Sequence, residues 1–360
     1  MTDKRKKRVV RLVVVLAIVF VWIGASVGFL FWSAVYKNNV TLKPDEKGYL
    51  YVPTGSDYND LLQAVDASGY LKNMKTFKWL AQRKNLPAHV YPGRYEIIPG
   101  MNNNQLIDML RSGAQTPLNV TFSYVRTLPQ LAGIIARQLE PDSATLLHEM
   151  LSENNYPVND GFNTETFQAM YIPNTYEFYW NTTAGKFVER MKKEYKKFWN
   201  AQRLQKAKAE KLTPVEVSVL ASIIDRETVM DDEKPRIAGV YLNRLHKGWK
   251  LQADPTVVYA FYLQNDSLLN RVYKKHTQIQ SPYNTYLHKG LPPGPICIPS
   301  IAGIDAVLNA ESHKYMYFVA KPDGSGYHHF SKTYKQHKNY ARQLHRELNK
   351  RKKQQNLSTQ

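Results

Sequence analysis

The sequence predicts an α+β protein with an N-terminal transmembrane helix, a small α+β subdomain and a larger, mostly helical α+β domain with long loops. Three observations support this prediction: an uncharged N-terminal run, short strand-like segments between helix-capping signals, and Pro/Gly-rich stretches beside strongly patterned helices. The length of 360 residues allows about two domains. A hydrophobic share of 43% is enough for sizeable cores and excludes a disordered chain.

The N-terminal run predicts a membrane anchor, the transmembrane helix 12–36. It carries no charge and is long enough, at about 1.5 Å per residue, to cross a bilayer of about 30 Å. Six basic residues lie within 1–11, which predicts a cytoplasmic tail there and an extracytoplasmic (periplasmic) location for the rest of the chain. A cleaved signal peptide is the competing interpretation. The long apolar run and the lack of a clean A-x-A site favour an uncleaved, single-pass anchor in the plasma membrane.

The charge is strongly basic, with a net value of +19, and much of the excess lies in residues 1–11 and 338–360. The sequence has no zinc-finger spacing, RNP-like aromatic motif or basic recognition helix, so we expect no nucleic-acid partner. The predicted anchor limits the partners to the membrane and to envelope components such as wall polymer, lipid-linked precursors and membrane proteins.

Residues 48–114 predict the small α+β unit, in which no segment has a catalytic pattern. Its elements follow from capping residues, glycine stops and strand-like runs. In chain order they are a strand at 48–53, a helix capped near Asp57, a helix from about Asn73, a turn and strand at 91–100, and a helix over 103–111.

Residues 116–347 predict the larger domain, followed by a basic tail at 348–360. Its expected elements are a strand at 118–122, a helix capped by Thr127, helical sequence after Pro141, a basic helical segment at 185–211, and helices at 213–228 and 236–248. Segments 264–297 and 321–330 are rich in Pro, Gly, Asn and Ser and predict long loops, where binding residues tend to collect.

The helix at 213–228 is expected to be central. Thr213-Pro-Val-Glu216 provides an N-cap, a proline at the first helical position and a glutamate at the third. The following stretch is almost free of charge as far as Ile224, so the charges at the end of the helix need a reason.

Asp225 and Glu227 are the two carboxyls at that end. At about 100° per residue they point about 200° apart, so they cannot share one cleft and only one can face a site. The alternative is that both are solvated or paired with nearby cations such as Lys234. On the first interpretation, replacing Asp225 by Asn should cost at most a surface or supporting contact.

Three loop motifs downstream are dense in Asn, Gln, Thr, Tyr and Asp, residue types that hydrogen-bond to hydroxyl and acetamido groups. They are Leu251-Gln-Ala-Asp-Pro-Thr256, Ser281-Pro-Tyr-Asn-Thr-Tyr286 and Gly290-Leu-Pro-Pro-Gly-Pro295. This composition favours a site for a sugar polymer.

We expect no metal and no cofactor. His328 and His329 are adjacent on a predicted strand and so point to opposite faces, and there is no HExxH motif. The lone Cys297 lies among apolar residues and prolines, so the chain forms no internal disulfide and the thiol is expected to be a buried packing group.

Taken together, the motifs resemble those of the MltG/YceG-like endolytic murein transglycosylases. The matching segments are Tyr171-Ile-Pro-Asn-Thr-Tyr-Glu-Phe178, Leu220-Ala-Ser-Ile-Ile-Asp-Arg-Glu-Thr228, Val240-Tyr-Leu-Asn-Arg-Leu245, Leu251-Gln-Ala-Asp-Pro-Thr256, Tyr283-Asn-Thr-Tyr286, Gly290-Leu-Pro-Pro-Gly-Pro295, Tyr317-Phe-Val-Ala320 and His328-His-Phe-Ser331. The resemblance implies that 48–114 is a LysM-like subdomain and 116–347 a catalytic transglycosylase domain. It also implies cleavage of peptidoglycan glycan strands without water, leaving 1,6-anhydro-N-acetylmuramic acid ends, beside wall-synthesis proteins.

The family's catalytic glutamate maps to Glu227, while Asp225 stands where many relatives carry a second Glu. Partial burial at the end of an apolar helix would keep Glu227 protonated as a general acid. Glu177 and Asp254 are assigned to substrate binding or site support. The remaining expected substrate contacts are Asn243, Gln252, Tyr283, Asn284 and Thr285, with loop-stapling hydrogen bonds as the alternative. His329 is expected to line the glycan cleft.

One other function class stays open: a catalytically silent peptidoglycan-binding scaffold that tethers the wall to the membrane. An intact Glu227 among the motifs weighs against it.

Overall fold

The structure, a computed structural model, describes residues 3–152 and 161–358 and divides into two compact units. The first unit runs to Asn119 and also includes Glu177–Thr182, and the second holds Val120–Tyr176 and the chain from Thr183 onward. Helices dominate, and the strands of the described ranges form three two-stranded sheets. The predicted α+β class is therefore confirmed.

The first unit contains two complete strands and four α-helices among its described residues, with a short 3-10 helix at Leu86–Ala88. They are α1 Asp3–Tyr36, β1 Gly48–Val52, α2 Tyr58–Ala67, α3 Met74–Arg83, β2 Gly93–Ile97 and α4 Asn103–Ser112. Strands β1 and β2 are antiparallel, with Gly48 opposite Ile97 and Val52 opposite Gly93. Their alternate side chains pack with the apolar faces of α2, α3 and α4 into one core. The likeness of this unit to a LysM module stays a prediction.

Helix α1 is the one helix in the described part of the chain that is long and apolar enough, over Lys6–Tyr36, to cross a membrane. None of its most apolar stretch is buried by the rest of the protein. Its last turn is attached to the first unit, since Val35 joins the core and the Ala34 carbonyl accepts a hydrogen bond from Asn103 Nδ2 at 2.8 Å. These features are compatible with the expected anchor.

Two strands, β3 Leu118–Phe122 and β4 Asn174–Phe178, pair with each other and contain boundaries between the units. The other elements of the second unit are α5 Leu128–Ala136, α6 Ser143–Leu151, α7 Ala184–Phe198, α8 Ala201–Ala209, α9 Pro214–Glu227, α10 Lys234–His246, α11 Asp254–Asn265, α12 Ile301–Leu308, β5 Tyr317–Ala320, β6 His328–Ser331 and α13 Tyr334–Ser358. Helix α9 is the most buried of them, and it packs against α10, α11 and α12.

Three segments differ in detail from the sequence-based expectation. The basic segment 185–211 is two helices, because Asn200 leaves the helical conformation and caps α8 by accepting from the Arg203 amide. The segment 321–330 is the turn and second strand of the antiparallel β5–β6 hairpin. Helix α13 continues to Ser358, through the expected start of a tail at 348.

Candidate active site

The site is built at the C-terminal end of α9. The helix begins with the predicted capping box, in which Thr213 and Glu216 each accept from the other's backbone amide. It stays buried from Val217 to Asp225 and ends at Glu227, before Thr228, whose backbone is extended. The buried stripe fixes the helix rotation, so the last turn presents its two carboxyls in fixed and different directions.

Asp225 points into the protein. Its Oδ1 lies 2.8 Å from Lys234 Nζ and accepts from Ser300 Oγ at 2.8 Å, and its Oδ2 accepts from the Ser300 amide at 2.6 Å. Both members of the ion pair are buried. A Cβ on Gly303 would lie 2.6 Å from the carboxylate, so this position has no room for a side chain. Asp225 is therefore more than a surface contact, and the alternative that it pairs with Lys234 is confirmed: it is an ion-paired structural residue between α9, α10 and α12.

Glu227 points the other way, toward a cavity of about 550 Å³, and keeps part of its surface exposed. Tyr241 on α10 donates a hydrogen bond of 2.6 Å from its hydroxyl to Glu227 Oε1. Burial raises the pKa of Glu227 from 4.5 to about 7, while the Tyr241 hydrogen bond opposes the rise, the Asp254 charge adds to it and the Arg244 charge lowers it. A carboxyl of this kind carries a transferable proton near neutral pH.

Asp254 lines the same cavity as Glu227. It is the first residue of α11, it is exposed, and its Oδ1 accepts a hydrogen bond of 2.6 Å from the Tyr286 hydroxyl. Tyr241 and Tyr286 were missed among the site residues, although both stand in quoted motifs. Two signals were available: Tyr241 is an aromatic hydroxyl between Val240 and Leu242 in a predicted helix, and Tyr286 closes the Tyr-Asn-Thr-Tyr segment.

Three of the expected substrate contacts bind other parts of the protein instead. Asn284 is fully buried and donates to the carbonyls of Thr277 and Ile279 at 3.1 and 2.8 Å. Thr285 is buried and accepts from the Ala253 amide at 3.0 Å. Asn243 donates to two backbone carbonyls of the segment before β5 at 2.9 and 3.0 Å. These side chains staple loops, as the alternative interpretation has it, because the two amides donate to backbone carbonyls and the Thr285 hydroxyl accepts from a backbone amide.

Tyr283 and Gln252 lie in the same two loops. Tyr283 is mostly buried, with its ring edge-to-face against Tyr259 at 4.9 Å, and burial raises its pKa. Gln252 is exposed and has a left-handed backbone, with φ of 50°, and its amide donates to the Thr285 carbonyl. Its side chain is therefore presented to solvent by the loop.

The two remaining expected contacts are His329 and Glu177. The ring of His329 stacks on Tyr340 of α13, with centroids 4.4 Å apart, so it is a hairpin-to-helix packing group. Glu177 is exposed on β4 in the part grouped with the first unit. His328, the neighbour of His329, faces the other way and binds Glu233 through Nδ1 at 2.6 Å.

Among residues 3–152 and 161–358, no group of three His, Cys, Asp or Glu side chains is arranged to hold a metal ion. Cys297 is buried, and burial raises the pKa of its thiol to about 12. Such a thiol is not ionised near neutral pH and is a packing group.

A central apolar helix that presents one glutamic acid of raised pKa to a cavity places the protein among α+β folds equipped for general acid–base chemistry. A sequence profile of the YceG-like family matches residues 50–343. The chain belongs to the YceG-like family.

Individual proteins agree with that assignment. The chain is 29% identical over 301 residues to the endolytic murein transglycosylase of Bacillus subtilis, covering 79% of this chain and 81% of the relative. It is 25% identical over 340 residues to the endolytic murein transglycosylase of Streptococcus pneumoniae, covering 86% of this chain but spanning only 61% of that relative's length. The crystal structure of a YceG-like protein from Listeria monocytogenes superposes with a TM-score of 0.56 at 27% identity, covering 82% of this chain and 98% of that one.

Proposed function

We propose that this protein is a membrane-anchored endolytic murein transglycosylase that cleaves the glycan strands of peptidoglycan and leaves 1,6-anhydro-N-acetylmuramic acid ends. The names of its relatives support the substrate and the class of reaction. The observation that carries the proposal is the Glu227 carboxyl, which lines an open cavity, has a pKa of about 7 and is held by the Tyr241 hydroxyl. A single acid of this kind is what the reaction requires.

In the first step, protonated Glu227 donates its proton to the glycosidic oxygen between N-acetylmuramic acid and N-acetylglucosamine. The bond from that oxygen to C1 of muramic acid breaks, the leaving sugar takes the proton, and C1 develops oxocarbenium character. Glu227 is then an ionised carboxylate. The Tyr241 hydrogen bond at 2.6 Å and the charge of the buried Arg244 stabilise that form.

In the second step, the C6 hydroxyl of the same muramic acid attacks C1. The new C6–O–C1 bond closes the anhydro ring, and the hydroxyl proton passes to the Glu227 carboxylate. The acid is thereby restored, no water is consumed, and one carboxyl serves both steps.

Hydrolysis is the competing reaction class, and the presence of Asp254 in the same cavity is the observation that favours it. A hydrolase needs a second carboxylate to activate water or to form a covalent intermediate. Asp254 is exposed and accepts a hydrogen bond from Tyr286, and its charge raises the pKa of Glu227. We assign it to support of the general acid.

The decisive experiment digests isolated peptidoglycan with the full-length protein in H₂¹⁸O and identifies the products by mass spectrometry. We expect anhydro ends without ¹⁸O. Reducing muramic acid ends that carry ¹⁸O would show hydrolysis, and intact strands would favour the non-catalytic scaffold.

The proposal includes a location and an arrangement of domains. Helix α1 would span the plasma membrane once, with residues 1–11 in the cytoplasm and the catalytic domain outside, beside the wall-synthesis proteins whose nascent strands it would terminate or trim. Residues 48–114 would act as a LysM-like glycan-binding subdomain and 116–347 as the transglycosylase domain. Basic residues before the apolar run support this orientation.

A further inference from the structure

Three arginines line the Glu227 cavity, and two of them, Arg126 and Arg226, also line the cavity beside it. Arg126 directly precedes the Thr127 cap of α5, and Arg226 lies in the last turn of α9. Within the ranges 3–152 and 161–358, neither guanidinium is within salt-bridge distance of a carboxylate. Both side chains are partly buried, so they are only partly screened by solvent.

The same two arginines also line a second cavity, of about 460 Å³. Leu268 belongs to both linings, so the two cavities share one wall. Burial lowers the pKa of Arg126 most, and the neighbouring Arg226 charge lowers it further, as expected for two like charges that repel each other. An anion bound between them would relieve that repulsion.

Tyr124 positions one of the two cations. Its hydroxyl accepts from Arg226 Nη1 at 3.0 Å, and the Arg226 guanidinium carbon lies 5.4 Å from the centre of its ring. Tyr124 has a left-handed backbone, with φ of 56°, and 63% of its surface is exposed. A bulky non-glycine residue in this conformation is strained, and such strain is concentrated at functional sites.

The arginine pair is explained neither by an effect on the pKa of Glu227 nor by pairing with the Asp225 carboxylate. The positive charge that acts on the Glu227 pKa is that of Arg244. Asp225 lines the second cavity, but its oxygens are engaged by Lys234 and Ser300. The guanidinium groups of Arg126 and Arg226 therefore remain available to a ligand.

We propose that Arg126 and Arg226 form a subsite for a carboxylate on the substituent of muramic acid, next to the cleavage site. The inference rests on the proposed function, since peptidoglycan carries such carboxylates on its stem peptides or, where these are removed, on the lactyl group. The stem peptide is the favoured source, because an apolar wall suits the methyl groups of its alanines. That wall of the second cavity consists of Val125, Tyr262, Leu268 and Ile298.

The test measures binding, so it does not depend on turnover. The full-length protein carrying Glu227→Gln is titrated in detergent with labelled glycan fragments of three kinds: stem-bearing, stem-bearing with the carboxylates amidated, and peptide-free with lactyl carboxylates. Arg126→Gln and Arg226→Gln are compared with Arg226→Lys and with Arg137→Gln. Arg137 is exposed at the end of α5, outside both cavities, so it controls for loss of one charge.

We expect stem-bearing fragments to bind about tenfold more tightly than amidated ones, because hydrogen bonds to charged groups are the strong ones. Either Gln variant should remove that preference, Arg226→Lys should keep part of it, and Arg137→Gln should keep all of it, with unchanged melting temperatures. A preference for the peptide-free fragments would overturn the stem peptide as the source and leave the lactyl carboxylate as the ligand.

Equal binding of native and amidated fragments would overturn the subsite. So would a preference that survives in both Gln variants, or competition by inorganic diphosphate without any effect of amidation. The two proposals fail separately: anhydro ends together with charge-independent binding would reject only this inference, whereas charge-dependent binding without anhydro ends would reject only the proposed function.

Discussion

The two carboxyls at the end of α9, Asp225 and Glu227, are only two residues apart in sequence, but their partners and their burial are different. Asp225 is enclosed by a lysine ammonium, a serine hydroxyl and a backbone amide, all of which stabilise a negative charge. Glu227 has one hydrogen bond from Tyr241 and lies beside a second acid, Asp254, in a cavity that is costly for charge. One helix end thus provides a structural ion pair on one side and a proton donor on the other.

The largest expected effect comes from Glu227→Gln. The amide keeps the shape and the ability to accept from Tyr241 but has no proton to transfer. Formation of anhydro ends should fall by at least about 10²–10⁴-fold, the usual contribution of general acid–base catalysis. Quantifying anhydromuropeptides with melting temperature as the folding control checks this. Full activity in the variant would remove Glu227 from the mechanism.

The second largest effect is expected from Asp225→Ala. This change leaves the buried Lys234 with only the exposed Asp231 as partner, at 2.8 Å. Breaking a buried ion pair is strongly destabilising, and because Asp231 remains we expect a loss of about 2–4 kcal/mol in the free energy of unfolding. Denaturant unfolding measures it.

Asp305→Ala is the matched control for that variant. Asp305 lies on α12, the helix that Asp225 contacts, and pairs with Arg203 of α8. The Asp305 side chain is 41% exposed. We expect a loss below about 1 kcal/mol. Equal losses of unfolding free energy at the two positions would mean that the buried Asp225–Lys234 pair stabilises the protein no more than the exposed Asp305–Arg203 pair.

A third expectation concerns stability and pH. The folded-state pKa of Glu227, about 7, exceeds its ordinary 4.5, so the folded protein binds this proton more tightly than the unfolded chain. The associated stability is present at low pH and is lost as pH rises through about 7. The full shift corresponds to about 3 kcal/mol, and partial exposure reduces it to about 1–2 kcal/mol.

Glu227→Gln should therefore stabilise the protein at pH 8 and have little effect at pH 4.5. Thermal unfolding of both proteins across this range is the measurement. A stabilisation that is the same at both pH values would contradict the raised pKa.

The smallest effects are two opposite shifts of the pH–rate profile. Tyr241→Phe removes a bond that favours ionised Glu227, so the alkaline limb of kcat should move to higher pH. Asp254→Asn removes a charge that raises the pKa, so the limb should move to lower pH. We expect shifts of about half to one pH unit. Shifts in the same direction would contradict these electrostatic assignments.

The sequence predicted what depends on local signals. The Thr213 capping box, the proline after it and the uncharged stripe define α9, and their spacing separates Asp225 from Glu227. The surroundings of the two carboxyls depend on contacts between helices instead: Ser300 lies 75 residues beyond Asp225. No local pattern predicts such a contact, and so the sequence offered Lys234 as one possible partner of Asp225 but did not indicate Ser300.

Local patterns also could not show that three expected substrate contacts, one on α10 and two in loops, are already hydrogen-bonded within the protein. Asn243, Asn284 and Thr285 have the donors and acceptors that a sugar would need, but loops without regular structure need the same groups for their own backbone. Residue type cannot distinguish the two uses. Only the three-dimensional packing of the loops shows which of these groups are already hydrogen-bonded.

Infrared difference spectroscopy of the full-length protein during a pH titration tests the contrast between the two carboxyls most directly. The account predicts a carboxylic acid band that disappears with a midpoint of about 7, that is absent in Glu227→Gln and that remains in Asp225→Asn. A band that is lost in Asp225→Asn and remains in Glu227→Gln, or no titration of Glu227 above its ordinary value, would contradict it.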